Sequence, residues 1–318
     1  MVLWVPSMEG RYLHVLAAGL TDVGKARHHN EDNILVRQDL GIFLVSDGMG
    51  GHNAGEVASA LTIASVRNFF EATTLEDFAE SDSEEIMAGA RRVAAAVQKA
   101  NRDVHEISTT HPKHRGMGCT LVMLYLQPPV VHIAHLGDSR CYRIRGGKIQ
   151  PLTRDHTLIN DILALKPDIS DDDLAHLPKN IVTRAVGIEP TVQFDVLTEE
   201  FEFGDIYLLC SDGLTGMLSE PKILETITET PDPAQATTRL IQLANDAGGL
   251  DNISAVVLRL DLIEDSNLIT QPLPAAPSVS AEVPAAASTP IAPAEDLVPA
   301  EPSAPPSEPV APAPSHVS

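Results

Sequence analysis

Five aspartates stand where an apolar run begins or ends, each beside glycine, asparagine or serine. Asp32 closes Arg27-His28-His29-Asn30-Glu31-Asp32. Asp47 follows the apolar run IFLVS and opens Asp47-Gly48-Met49-Gly50-Gly51. Asp138 lies in Gly137-Asp138-Ser139-Arg140, Asp212 in Ser211-Asp212-Gly213-Leu214, and Asp251 in Asp251-Asn252. A single Asp-Gly is an ordinary turn. Repeated carboxylates at the ends of adjacent strands converge on one rim of a sheet. There they repel and raise one another's pKa unless cations lie among them. Hard divalent ions that take oxygen ligands, Mg2+ or Mn2+, suit such a rim. Gly48 has no Cβ, so its backbone carbonyl can approach an ion.

The elements that must hold these residues follow from periodicity. Strands are expected over residues 13–20, 33–37, 42–46, 120–126, 130–136, 141–145, 148–152, 193–200, 206–210 and 253–260. Gly146-Gly147 joins two of them as a tight hairpin, and Gln127-Pro128-Pro129 turns between another two. A helix is expected over residues 54–70. A second carries Ile86, Ala90, Val93, Val97, Ala100, Val104 and Ile107 as one apolar stripe at alternating steps of three and four. Ser219-Glu220-Pro221 and Asp232-Pro233 read as helix starts, and Gly248-Gly249 as a helix end. Residues 157–179 are polar and acidic and read as a surface excursion with short helices, the build of many functional lids. Strand-rich blocks separated by helix pairs predict an α+β fold of antiparallel sheets packed between helices.

The chain has 318 residues and a formal net charge of −22. That charge argues against a general nucleic-acid binder, which needs a basic surface. Of the 24 prolines, 13 fall within residues 271–318, and no Lys or Arg follows Arg259. We therefore read one domain over residues 1–263 and a disordered, Pro/Ala-rich acidic tail over 264–318, either a solvated arm or a docking arm. The acidic tail argues against binding anionic membranes. No run of 18 apolar residues exists to span a bilayer, and no signal-peptide pattern opens the chain. Cys119, Cys141 and Cys210 are too far apart for a Cys-x-x-Cys zinc pair and sit in apolar runs. They are expected as buried reduced thiols of a cytoplasmic protein.

Arg27-x-x-Asn30-Glu31-Asp32, Asp47-Gly48-Met49-Gly50-Gly51-His52, Gly137-Asp138-Ser139-Arg140, Asp155-His156, Ser211-Asp212-Gly213 and Asp251-Asn252 occur in this order. Together they resemble the metal-dependent Ser/Thr protein phosphatases of the type 2C (PPM) family, in their bacterial form, over about four fifths of the chain. The resemblance implies a four-layer sandwich: two mainly antiparallel β-sheets flanked by pairs of α-helices. It implies two to three Mn2+ or Mg2+ ions. Asp47 would bridge two of them and the Gly48 carbonyl would add a ligand. Asp212 and Asp251 would hold one ion, and Glu31 and Asp32 would complete the shell or hold its waters. Asp138 would help hold a third ion together with Asp212. Arg27 would grip the substrate phosphate.

The implied reaction is hydrolysis of phosphoserine and phosphothreonine in proteins, by in-line attack of a hydroxide bound between two metals, with no phosphoenzyme. In the eukaryotic pattern a histidine follows the Asp-Gly directly and is a candidate general acid. Met49 stands there in this chain, so metal-bound water is expected to protonate the leaving oxygen. The roles of His52 and His156 stay open. Residues 157–179 take the place of the family's flap and are expected to tune substrate choice and the third-metal site. The implied partners are phosphoprotein substrates and an opposing Ser/Thr kinase, with no nucleic acid and no membrane, the enzyme being a monomer. The alternative is a catalytically silent phosphatase-like binding or regulatory protein. Such a protein would be expected to lack metal carboxylates, whereas Asp47, Asp212 and Asp251 are all present.

Overall fold

The structure, a computed structural model, describes residues 2–4, 11–50, 54–79, 87–170, 173, 177, 178 and 181–264. In chain order the first strands are β1 (Val2–Trp4), β2 (Arg11–Asp22), β3 (Asn33–Arg37), β4 (Ile42–Ser46) and β5 (Gly48–Met49). Helices α1 (Ala54–Ala72) and α2 (Ala88–Thr110) follow. Then come β6 (Gly118–Cys119), β7 (Leu121–Gln127), β8 (Val130–Leu136), β9 (Arg140–Arg145), β10 (Lys148–Pro151) and α3 (Leu158–Leu165). The last elements are β11 (Asp195–Glu200), β12 (Ile206–Cys210), α4 (Asp212–Thr215), α5 (Glu220–Glu229), α6 (Pro233–Asp246) and β13 (Ile253–Glu264).

The strands form a six-stranded sheet, β1-β2-β13-β12-β9-β10, and a five-stranded sheet, β11-β8-β7-β4-β3, with every pairing antiparallel. The two sheets face each other across Leu13, Val15, Val122, Leu124, Leu209 and Leu258. Helices α1 and α2 cover the outer face of the five-stranded sheet, where Val66, Phe70, Val97 and Val104 meet Leu44 and Met123. Helices α5 and α6 cover the other sheet through Ile223, Leu240 and Ile241 against Leu208 and Val257. The expected α+β four-layer sandwich is what the chain forms.

The strand β12 shows why its sequence is apolar throughout. Tyr207 and Leu209 point between the sheets, while Leu208 and Cys210 point at the helices. A strand buried on both faces has no polar alternation to show. Leu208 and Leu209 each contribute about 1.5–3 kcal/mol by full burial. All three cysteines are buried and free. Pro233 opens α6, and the side chain of Asp232 accepts the Gln235 backbone N–H at 2.9 Å as its cap. Ser219 precedes α5 without a side-chain cap bond.

Strands β2 and β13 exceed the predicted lengths. They pair along 12 residues each, from Asp22↔Ile253 to Arg11↔Glu264. Residues 157–165 give one bridge to Val182 and the helix α3, and part of the predicted excursion lies outside the described residues. So do Ile86, His52 and the tail beyond residue 264. No helix among the described residues is long and apolar enough to cross a membrane.

The strand β8 buries two histidines. His132 bonds Thr198 Oγ1 through Nδ1 (2.8 Å) and Gln127 Oε1 through Nε2 (2.9 Å), and burial pushes its pKa down to about 4. The unfolded chain takes up this proton near pH 6.5 and the folded protein does not, so stability falls as pH drops from about 6.5 to 4. The loss is up to about 3 kcal/mol for this residue. Urea unfolding at pH 7 and pH 5 is expected to show a smaller pH dependence in His132→Gln than in the parent.

Candidate metal centre

The predicted carboxylates stand at one end of the sandwich, on loops from both sheets. Glu31 and Asp32 precede β3, Asp47 joins β4 to β5, and Asp138 joins β8 to β9. Asp212 begins α4 at the end of β12, and Asp251 precedes β13. The two sheets therefore each deliver part of one acidic rim.

Short polar side chains fix its members. The Ser211 and Ser254 hydroxyls both donate to Asp32 Oδ2, at 2.8 and 2.7 Å. Asp47 is held by its backbone: its N–H donates to Thr120 Oγ1 (2.9 Å) and its carbonyl accepts the Thr120 N–H (2.8 Å). The Thr120 hydroxyl also lies 2.7 Å from Ser139 Oγ, tying the Asp47 turn to the Asp138 turn. Asn252 binds the loop before β3 in three places. It accepts the Glu31 N–H and donates to the Val23 and His29 carbonyls.

The close approach of Gly48 is enforced. A Cβ there would sit 2.2 Å from the Gly55 carbonyl oxygen and 2.6 Å from that of Glu31. Gly213 is in the same position, since its Cβ would meet the Asn252 carbonyl at 2.0 Å. These turns pack backbone on backbone, which only glycine allows.

The electrostatics of the rim fit cations. Burial and then the charges of Asp32, Asp212, Asp138 and Asp251 push the Asp47 carboxyl well above the usual carboxylate range. Burial raises Asp32 to about 6 despite its two serine donors, with Asp212 and Asp251 adding to the rise. Asp138 rises to about 7, through burial and then Asp212 and Asp155. Asp212 rises through burial and Asp251, and Glu31 chiefly through burial. Asp32 Oδ1 and Asp212 Oδ1 are buried and have no hydrogen-bond partner among the described residues. Orphaned anionic oxygens of this kind are costly unless something positive meets them. The donor set is all oxygen, the preference of Mg2+ and Mn2+.

Arg27 borders the rim with its side chain 52% exposed, and its Nη2 donates to Asp251 Oδ2 at 2.7 Å. That bond raises the guanidinium pKa further. All predicted site residues thus meet at one rim. What the motifs did not single out are the residues that hold them: Thr120, Ser254 and the serine and asparagine inside the Ser211 and Asn252 motifs. Asp155 and His156 brace the Asp138 turn. Asp155 makes a two-point ion pair with Arg140 at 2.8 and 2.7 Å. His156 donates its backbone N–H to the Gly137 carbonyl (2.7 Å) and accepts the Gly137 N–H at Nδ1 (3.2 Å).

A profile of the family described as Protein phosphatase 2C matches residues 25–245. The chain is 35% identical over 247 residues to "Serine/threonine phosphatase stp" of Listeria monocytogenes serovar 1/2a, across 77% of this chain and 95% of that protein. Its fold is similar to the crystal structure of the Mycobacterium tuberculosis serine/threonine phosphatase PstP/Ppp, with a TM-score of 0.67 and 32% identity. The likeness covers 78% of this chain and 99% of that one. It is also similar to the catalytic domain of PstP solved with two manganese ions, with a TM-score of 0.65 and 32% identity over 78% of this chain and 99% of that one.

Proposed function

The chain belongs to the protein phosphatase 2C family and is a metal-dependent serine/threonine protein phosphatase; on that premise we propose that the acidic rim is its reaction centre and assign each residue a role. The observation that carries the assignment is the set of crowded carboxylates with orphaned buried oxygens beside an exposed arginine. Asp47 and the Gly48 carbonyl would help hold two Mn2+ or Mg2+ ions, Asp212 and Asp251 would serve one of these, and Glu31 and Asp32 would complete the shell. Asp138 with Asp212 would hold a third. Bound divalent cations lower the pKa of a water toward neutral and draw charge from the phosphoryl oxygens.

The protein's own groups bind and orient. Arg27 turns from Asp251 to the incoming phosphoserine or phosphothreonine, where its fork spans two phosphoryl oxygens. It keeps that grip as charge builds in the transition state. No thiol competes as nucleophile. Burial pushes Cys119 up to about 11 and Cys210 up to about 12, and raises Cys141 well above its usual value. Direct in-line attack without a phosphoenzyme, the route the family membership implies, is the one we propose. The domain spans residues 1–263, with 157–179 as a flap beside the rim and 264–318 as a tail. We place the enzyme in a bacterial cytoplasm as a signalling monomer that opposes a Ser/Thr kinase. Three buried reduced thiols support that setting.

The test is hydrolysis of a phosphothreonine peptide by chelated protein to which Mn2+ or Mg2+ is returned. Turnover that needs neither ion would overturn the assignment. Arg27→Ala is expected to lower kcat/KM on the order of 10- to 100-fold, the worth of a charge-assisted hydrogen bond pair. Arg27→Lys should recover part of the loss, since one ammonium replaces a two-point fork. Steady-state kinetics on the same peptide check both.

A further inference from the structure

A second group of ligands lies behind the Asp138 turn and has no part in the assignment above. His135 (2% exposed), His156 (4% exposed) and Asp195 each offer one ligand atom, and these atoms lie within 4.8 Å of one another. The His156 Nε2 is 3.2 Å from Asp195 Oδ2, and the two imidazole centroids are 4.6 Å apart. The Ser139 backbone lies near enough to favour a charged His135. Yet neither His135 ring nitrogen closes a hydrogen bond among the described residues. Burial lowers its pKa to about 4, so the ring is neutral and keeps a lone pair at neutral pH. The Asp195 side chain is 65% exposed, which opens the group to solvent at the start of β11.

We propose that His135, His156 and Asp195 form a site for a zinc-class cation, separate from the acidic rim, whose filling slackens the Gly137-Asp138 turn. Two imidazoles and one carboxylate, with a water as fourth ligand, make a four-coordinate nitrogen and oxygen set, which favours zinc over magnesium or manganese. Zinc at its usual bond lengths spaces ligand atoms about 3.3 Å apart, so His156 Nε2 and Asp195 Oδ2 already fit and the widest gap must close by up to about 1.5 Å. The coupling follows from the proton. His156 accepts the Gly137 N–H at Nδ1, so its own proton sits on Nε2, toward Asp195. A cation at Nε2 requires that proton on Nδ1. Two N–H groups then face each other, and the hydrogen bond that braces the turn is lost. The consequence for turnover rests on the assignment of Asp138 to the reaction centre; the site itself does not.

The probe is Co2+ titrated into full-length protein in excess Mg2+, followed by the visible bands of four-coordinate cobalt. We expect these bands in the parent, their removal by added Zn2+, and their loss in His135→Ala. Asp195→Asn, on the surface, keeps the test decisive if His135→Ala does not fold, and is expected to weaken cobalt binding at least about tenfold. Absence of the bands in the parent, or bands unchanged in both variants, overturns the site. In the second arm Zn2+ is added to the Mn2+-activated enzyme. Inhibition relieved in Asp195→Asn supports the coupling, and equal inhibition in parent and variants overturns it. A parent with no Mn2+-dependent turnover would overturn the assignment of the acidic rim instead, while the cobalt bands still decide the site.

Discussion

Replacing Asp47 with asparagine is expected to lower Mn2+-dependent turnover on the order of 1,000-fold, the scale on which the loss of one preorganised charge-stabilising group is felt. The same variant is expected to be more stable than the parent once both are chelated. The two effects have one cause. Asp47 is surrounded by Asp32, Asp212, Asp138 and Asp251, all of which disfavour its charge. Asparagine keeps the shape, removes a charge from that cluster and removes one proposed ligand. Each kcal/mol gained should raise Tm by about 2–4 °C in a domain of this size. Thermal unfolding in chelator beside peptide turnover in Mn2+ checks the pair. Loss of both activity and chelated stability would mean that Asp47 acts as a fold element and not as a cation holder.

The second large effect is a change of sign with pH. Asp32 is raised to about 6 and Asp138 to about 7, while both return to the ordinary carboxylate range on unfolding. The folded, metal-free protein therefore binds more protons than the unfolded chain above pH 4. Its stability falls as pH rises through 6 and 7, by up to about 1.4 kcal/mol per pH unit for each proton involved. The buried histidines work in the opposite sense, but only below about pH 6.5, where the unfolded chain begins to protonate. The window from pH 6.5 to 8 isolates the carboxylates. There the chelated protein is expected to lose stability with rising pH and the Mn2+-saturated protein to hold it. Mn2+ affinity should rise about tenfold per pH unit for each proton displaced, since ligands must be deprotonated to bind. Calorimetric melts and Mn2+ titrations at pH 6.5, 7.2 and 8 check this; a chelated Tm that climbs across the window would contradict it.

Much of this site was legible because its carboxylates announce themselves locally. Each aspartate is followed or preceded by the glycine or asparagine that its turn requires, and the apolar run beside it is a strand. Gly48 shows why the pattern is strict: its neighbour is a backbone carbonyl of α1 at a distance no side chain tolerates. The stripe of α2 and the Gly146-Gly147 hairpin were legible for the same reason, as short-range periodicity and turn chemistry. What was hidden is long-range. The hydroxyls of Ser211 and Ser254 meet Asp32 across 179 and 222 residues of chain. No spacing rule connects them. Strands β5 and β6 are two residues each and too short for any period. The His135, His156 and Asp195 group comes from three elements, and only the register Asp195↔His135 between β11 and β8 brings two of them side by side.

The placement of β13 carries a consequence for how the enzyme comes into being. This strand is the last described element, yet it lies inside the six-stranded sheet, between β2 and β12. Asp251 stands at its entrance, and Ser254 within it holds Asp32. A ribosome that has made everything up to α6 has made a chain whose central strand is missing and whose acidic rim lacks two of its supports. Domains fold as units as they emerge, and pairings this distant in sequence form late. The growing polypeptide therefore cannot complete its acidic rim until nearly the whole domain has been translated.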